Sequence, residues 1–246
     1  MALTDEEAER GETVWGEIQG QTVTFPMVVG SANIATLLFT VPAAAAAALM
    51  PGNDFEIVES VPGSTQLIIA ACDYIENPWG DYREINIGFL AKPVFGGPES
   101  VGSFVYRMPV DQAFTCEAGN KVMGFPKTVE RITAEYHPDV VVFDLVFGGR
   151  PTLRLTVPRV APDGPPTRVP AVSYSYLDGV PFATMLEMDM GSGIVFDLSA
   201  VRVELGEGSV ADELRSLGLP TVPDLATWGE GLGAVFHLGR LVVLEG

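Results

Sequence analysis

EAGNKVMGFPKT, Glu117 to Thr128, is the stretch on which the reading of this chain turns, and Lys127 is its most informative residue. The chain has three lysines, Lys92, Lys121 and Lys127, against eleven arginines, and two of the three stand six residues apart here. A chain that supplies its cations mostly as arginine has placed these amines selectively. Lys127 follows Gly124, Phe125 and Pro126, an apolar approach in which proline fixes its own φ and biases Phe125 towards an extended conformation. Such a setting can hold an amine still and partly dry. Desolvation disfavours the ammonium form, and a neutral lysine can attack a carbonyl to make a Schiff base. The other reading of the same residues is a structural lysine at the end of a turn.

Working outward, DYREINIGFLA at 81–91 reads as a strand. Alternation places Tyr82, Glu84 and Asn86 on one face and Arg83, Ile85 and Ile87 on the other. If the isoleucine face packs into a core, the Tyr-Glu-Asn face lines either solvent or a polar site.

These two motifs carry a resemblance. AGNKVMGFPKT is similar to the AGRExxxFPKK-type signature of the acetoacetate decarboxylase superfamily. DYREINIGFLA resembles the strand that holds that family's active-site glutamate, and the spacing of the two matches. MPGN at 50–53 and the hydrophobic C-terminal segment also fit, so the likeness runs over most of the chain. The resemblance implies Lys127 as the Schiff-base lysine and Glu84 as the carboxylate beside it. It also implies assembly from dimers upward; the length of 246 residues separately points to one domain over 1–246. A lysine activated by a cationic neighbour is this family's general precedent, not something these residues show. Here the family's second lysine is replaced by Thr128, and its GRE triplet is Gly119, Asn120 and Lys121. There is no arginine from Gly30 to Thr40 and no carboxylate from Thr65 to Cys72, where decarboxylating members place further polar groups. Lys121 is the candidate replacement for the missing lysine.

Composition narrows the remaining classes. With 47% hydrophobic residues, 27 glycines and 19 prolines, many short apolar strands separated by turns are expected. A net charge of −18 opposes phosphate-backbone binding, so nucleic acid is not an expected partner. Cys72 and Cys116 are too few for a disulfide framework or a four-ligand zinc site and read as buried small hydrophobes. The N-terminus MALTDEEAERGE is acidic, the reverse of a secretory or transit segment. The apolar run ATLLFTVPAAAAAALM is broken by Pro42 and too short for a bilayer. A cytoplasmic protein that does not engage a membrane is expected.

The fold class expected is α+β and β-rich: an antiparallel barrel or meander of the acetoacetate decarboxylase-like type with a few short helices. Strands are predicted at 21–29, 33–41, 55–61, 65–72, 82–94, 103–110, 128–136, 140–147, 152–157, 168–177, 181–190, 193–205 and 234–244, after a polar lead-in over 1–14. Helices are predicted from Pro42 to Met50, from an Asp111 N-cap to Gly124, and over 209–217 capped by Ser209.

His137 and His237 sit in no metal-ligand spacing, and there is no GxSxG elbow or GxxxxGK[ST] loop. What remains is an amine and a carboxylate. The lysine would form an iminium with a ketone or aldehyde, the iminium would accept electrons from an adjacent breaking bond, and Glu84 would hold or move a proton. No metal or cofactor is required. Tyr82, Arg107, Met123, Phe125 and Lys121 are the candidate substrate-binding residues, with Tyr74 and Glu76 behind them. The expected activity is a Schiff-base lyase acting on an oxo-acid or related carbonyl, with decarboxylation of a β-keto acid as the family's type reaction. An aldolase or dehydratase using the same iminium is the alternative within the enzymes. A barrel that binds a small ligand without turnover is the alternative outside them.

Overall fold

The β-branched and aromatic runs form strands that close on one another. The computed structural model describes residues 11–190 and 193–243. In chain order the strands before the outer sheet are β1 (Thr13–Ile18), β2 (Gln21–Phe25), β3 (Met27–Pro42), β4 (Phe55–Ile57), β5 (Ser64–Glu76), β6 (Tyr82–Pro93), β7 (Gly102–Val110) and β8 (Lys127–Val129). Then come β9 (Arg131–Tyr136), β10 (Val140–Phe147), β11 (Arg150–Pro158), β12 (Thr167–Leu177), β13 (Val180–Met190), β14 (Gly193–Ile194), β15 (Arg202–Leu205), β16 (Leu225–Phe236) and β17 (Arg240–Leu241). The helices are α1 (Ala43–Leu49), α2 (Ala113–Met123) and α3 (Ser209–Ser216).

Strands β16, β3, β5, β6, β7, β12 and β13 hydrogen-bond in that order, and β13 pairs back onto β16, closing a seven-stranded barrel. Its neighbours run antiparallel except β7 and β12, which pair in parallel at Ser103 and Ser173. The chain between them is long enough for that crossover because it first builds α2 and most of a second sheet, ordered β15-β11-β10-β9.

Closure gives every barrel strand an inside and an outside. Leu67, Ile69 and Ala71 of β5 and Ile85, Ile87 and Phe89 of β6 share a buried cluster with Val141, Phe143 and Leu145 of β10. That face therefore lies under the outer sheet. The alternate residues Cys72, Tyr74 and Tyr82 join Met108 and Val110 of β7 and Ala118, Val122 and Met123 of α2 in a separate cluster within the lumen. The β1–β2 hairpin adds Ile18, Val23 and Phe25 to it. Fully burying such side chains stabilises by roughly 1.5–3 kcal/mol each, and both faces of β5 and β6 contribute.

Helix α2 starts where Gln112, not Asp111, caps it: the Gln112 side-chain oxygen Oε1 accepts from the Thr115 amide at 2.9 Å. Asp111 is diverted because its carboxylate accepts from the Arg83 amide at 2.6 Å and pairs with the Arg83 guanidinium at 3.2 Å. The helix ends at Gly124 in the left-handed region, φ 64°, where a Cβ would lie 2.5 Å from the Tyr176 carbonyl oxygen. Only glycine fits. Pro126 then prevents further helix, and Lys127 opens β8 beside β7.

Several boundaries differ from the sequence reading. The predicted strands at 21–29 and 33–41 are β2 and one long β3 running through Gly30. The strand predicted at 55–61 keeps only its first three residues, and that at 128–136 divides into β8 and β9. The strand predicted at 193–205 becomes β14 and β15 with a short turn between, and the last predicted strand, 234–244, is not one strand: its first three residues end β16, and Arg240–Leu241 form the separate β17. Gly208 precedes α3 as its cap, leaving Ser209 as the first helical residue. Most of the polar lead-in and the final residue of the last predicted strand, Leu244, lie outside the described residues.

Candidate active site

Alternation on β6 sends Glu84 into the lumen, and the turn after α2 aims Lys127 at the same point. Lys127 stands beside Met108 and Glu84 beside Val110, so the two side chains meet across β7. Lys127 Nζ lies 2.8 Å from Glu84 Oε2, with the side chains 4% and 6% exposed. Nζ also donates to Thr115 Oγ1 at 3.3 Å and sits 5.2 Å from the centroid of the Tyr82 ring. Tyr82 stacks on Tyr74 with centroids 4.5 Å apart.

The amine is held from behind. Asn120 Oδ1 accepts from the Lys127 amide at 3.1 Å, and its Nδ2 donates to the Lys127 carbonyl at 3.0 Å and to Cys116 O at 2.9 Å. One carboxamide thus fixes both backbone groups of the lysine to the helix. Gly119 makes room for the stem, since a Cβ there would lie 2.5 Å from Lys127 Cδ and 2.7 Å from Cε. Sequence reasoning passed over both, Gly119 as a matching residue of the motif and Asn120 as a departure from it.

Burial, reinforced by the Glu84 charge, pushes the Tyr74 and Tyr82 hydroxyls well above the ordinary tyrosine value. The same causes in the same order push the Cys72 thiol up. These groups remain protonated around the carboxylate, leaving Glu84 as the only buried acid of the lumen among the described residues; buried Asp73 faces the other way, towards Arg83 and Tyr136. Access to the lumen increases along β5, where Cys72 and Tyr74 are buried but Gln66, Ile68 and Ala70 on the same face are half-buried.

The remaining candidates divide. Tyr82, Met123 and Phe125 lie in the lumen cluster with the pair, as does Tyr74. Met123 also accepts at its carbonyl from Ser175 Oγ at 2.6 Å. Arg107 does not join them. A bulge sets Arg107 opposite Ile87 on the outer face, and it pairs with Glu213 of α3 at 2.7 Å. Lys121 points into solvent, 58% exposed, bonded to Glu117 at 2.5 Å, so its amine does not fill the place of the family's second lysine. Thr128 and Glu76 are exposed. A hollow of about 390 Å³ lies behind the turn, bordered by Tyr106, Gly124, Pro126 and Tyr176, and Lys127 is not among its walls. Among the described residues no cluster of His, Cys, Asp and Glu could hold a metal ion, and no helix is long and apolar enough to cross a membrane.

Comparison with known proteins follows this geometry. The structure is similar to an acetoacetate decarboxylase from Legionella pneumophila, at 15% identity and a TM-score of 0.61, over 89% of this chain and 87% of that one. It is also similar to the enduracididine biosynthesis enzyme MppR complexed with the condensation product of pyruvate and imidazole 4-carboxaldehyde, at 16% identity and a TM-score of 0.58, over 89% and 90%. An acetoacetate decarboxylase-like enzyme from Sphingomonas wittichii matches at 14% identity and a TM-score of 0.56, over 94% and 99%. At such identities these likenesses establish the fold. No protein of curated function matches the chain. The family model for acetoacetate decarboxylase matches residues 16–232, a span containing both motifs and every barrel strand up to the middle of β16, so the chain belongs to the acetoacetate decarboxylase family.

Proposed function

We propose that the protein is a Schiff-base-forming lyase of the cytoplasm, working as a homo-oligomer on a small oxo-acid or related carbonyl compound through Lys127, with Glu84 as its acid and base. One observation carries this reading: the 2.8 Å contact between Nζ and Oε2, with both side chains almost wholly enclosed. Proton transfer across that contact frees the amine lone pair. Nζ then adds to the substrate carbonyl carbon, and protonated Glu84 returns its proton to the departing water, leaving an iminium. The bond between the α and β carbons breaks, and its electrons move into the enamine. In a β-keto acid the fragment lost is carbon dioxide. In a β-hydroxy carbonyl compound the hydroxyl proton passes to Glu84 and an aldehyde leaves. Protonation of the enamine carbon and addition of water release the product and regenerate the amine.

The aldol or dehydratase reading has its own support. Lys127 is the only buried cation among the described residues, whereas a carboxylate substrate calls for a second positive group. The related MppR fold accommodates the condensation product of an oxo-acid and an aldehyde, which is an aldol type of bond. The test is borohydride reduction of the protein incubated with pyruvate, acetoacetate or a β-hydroxy ketone, followed by peptide mass analysis. An adduct on Lys127 supports the enzyme, product analysis separates carbon dioxide from aldehyde, and no adduct with any of them leaves a non-catalytic barrel.

A further inference from the structure

Among the described polar side chains on the lumen face that this chemistry leaves unused, one is partly exposed yet has an unpartnered oxygen. Asn86 follows Glu84 by two positions and so shares its face of β6, about 7 Å further along the strand. It stands opposite Ala70 of β5, and Ala70 packs against the lumen cluster. Asn86 is half-buried, and its Oδ1 is buried with no hydrogen-bond partner among the described residues. Buried polar atoms normally have partners, because one left unmade is unfavourable. Thr184 Oγ1 is also without a partner, and its register with Ser173 places it on the lumen face of β13. Thr184, however, is 0% exposed as a whole residue, while in half-buried Asn86 the enclosed atom is Oδ1 and the rest of the side chain keeps some exposure.

Charge points the same way. The buried charged residues among those described are Asp73, Glu84 and Lys127. Asp73 is on the outer face, where it pairs with Arg83 and accepts from the Tyr136 hydroxyl. In the lumen one cation therefore meets one anion. The nearest alternatives are committed elsewhere, Arg107 to Glu213 and Lys121 to Glu117 in solvent. A substrate carboxylate brought inside would face Glu84 with no unengaged cation, and a buried charge without a partner is strongly disfavoured. A neutral hydroxyl would meet a vacant acceptor.

We propose that Asn86 is the specificity-determining residue of the lumen: its carboxamide oxygen accepts a hydrogen bond from a substrate hydroxyl remote from the carbonyl, favouring neutral hydroxylated ketones and aldehydes over β-keto carboxylates. This rests on the Schiff-base reading above. The probes are 5-hydroxy-2-pentanone, whose hydroxyl lies beyond the bond that aldol cleavage would break, 2-pentanone and acetoacetate, and the readout is the concentration giving half-maximal borohydride trapping on Lys127. In the full-length wild type the hydroxyketone traps at about tenfold lower concentration than 2-pentanone, and acetoacetate traps least well. Asn86→Leu erases the hydroxyketone's advantage over 2-pentanone. Its thermal midpoint is at or above that of the wild type, because an unpaired oxygen has gone. Asn86→Ala repeats the experiment without added bulk. A hydroxyketone preference that survives in a folded variant, or a wild type that prefers acetoacetate, overturns the assignment of Asn86 alone. Failure of all three compounds to label wild-type Lys127 overturns the Schiff-base reading and this assignment together.

Discussion

Replacing Gly119 by alanine should damage the chemistry while leaving the fold intact. The new Cβ would stand 2.5 Å from Lys127 Cδ and 2.7 Å from Cε, against about 3.5–4.0 Å for an ordinary carbon contact. The stem must therefore shift by about 1 Å or more, and the amine, now 2.8 Å from Glu84, shifts with it. A misplacement of that size costs about a hundredfold in rate when the displaced group is the reacting one. Helix propensity acts in the opposite direction, since alanine within α2 is favoured over glycine by about 0.8–1 kcal/mol. The moving atoms belong to a flexible side chain, so the thermal midpoint should change little. The assay pairs the initial rate of borohydride-trapped adduct formation with a melting curve. Wild-type trapping in a normally folded Gly119→Ala protein would refute the claim that this glycine sets the position of the amine.

Lys127→Met and Glu84→Gln each disrupt a buried ion pair, and Lys127→Met should lose about 3–5 kcal/mol by stranding a buried carboxylate. The double variant should lose less than the sum of the two, which denaturant unfolding of all four proteins measures. Asn120→Ala removes the bonds to both backbone groups of Lys127. It should slow adduct formation at a stability loss of about 1–3 kcal/mol, whereas an unchanged trapping rate would mean that the clamp positions nothing. Burial and the Glu84 charge raise the Cys72 thiol, and burial raises half-buried Cys116. Because the thiolate is the nucleophile, iodoacetamide at about pH 9 should label Cys116 slowly and Cys72 only after unfolding, as peptide mapping can verify. With Tyr74 and Tyr82 raised in the folded state, the unfolded chain releases protons above its ordinary tyrosine value that the folded chain keeps. Stability is therefore retained below about pH 10 and falls as pH rises beyond it; urea titrations across that range should show the decline.

The site was legible where it follows local periodicity. Alternation through Tyr82, Glu84 and Asn86 set their common face, and Pro126 after Gly124 marked the turn that delivers Lys127. Asn120 and Gly119 were not legible because their roles depend on the left-handed turn at Gly124, which folds β8 back along α2. Only then does a helix side chain meet a strand backbone seven residues away. Arg107 was misplaced for a comparable reason: the bulge opposite Ile87 and Gly88 resets the alternation of β7. The β1–β2 hairpin did carry a signal. Gln19 and Gly20 form a two-residue loop with φ of 50° and 79°, the primed-turn geometry that a glycine in the second position favours. Barrel closure between β13 and β16 has no local signal, because it joins strands separated by β14, β15 and α3.

The proposed chemistry requires Lys127 as the nucleophile and Glu84 as its proton partner. Borohydride reduction with a carbonyl substrate, read by mass on the peptide containing Lys127, addresses it directly. One substrate-sized adduct is expected on that lysine, absent from Lys92 and Lys121 and strongly slowed in Glu84→Gln. An adduct distributed over all three lysines, or one formed at Lys127 equally fast without the carboxylate, would contradict it.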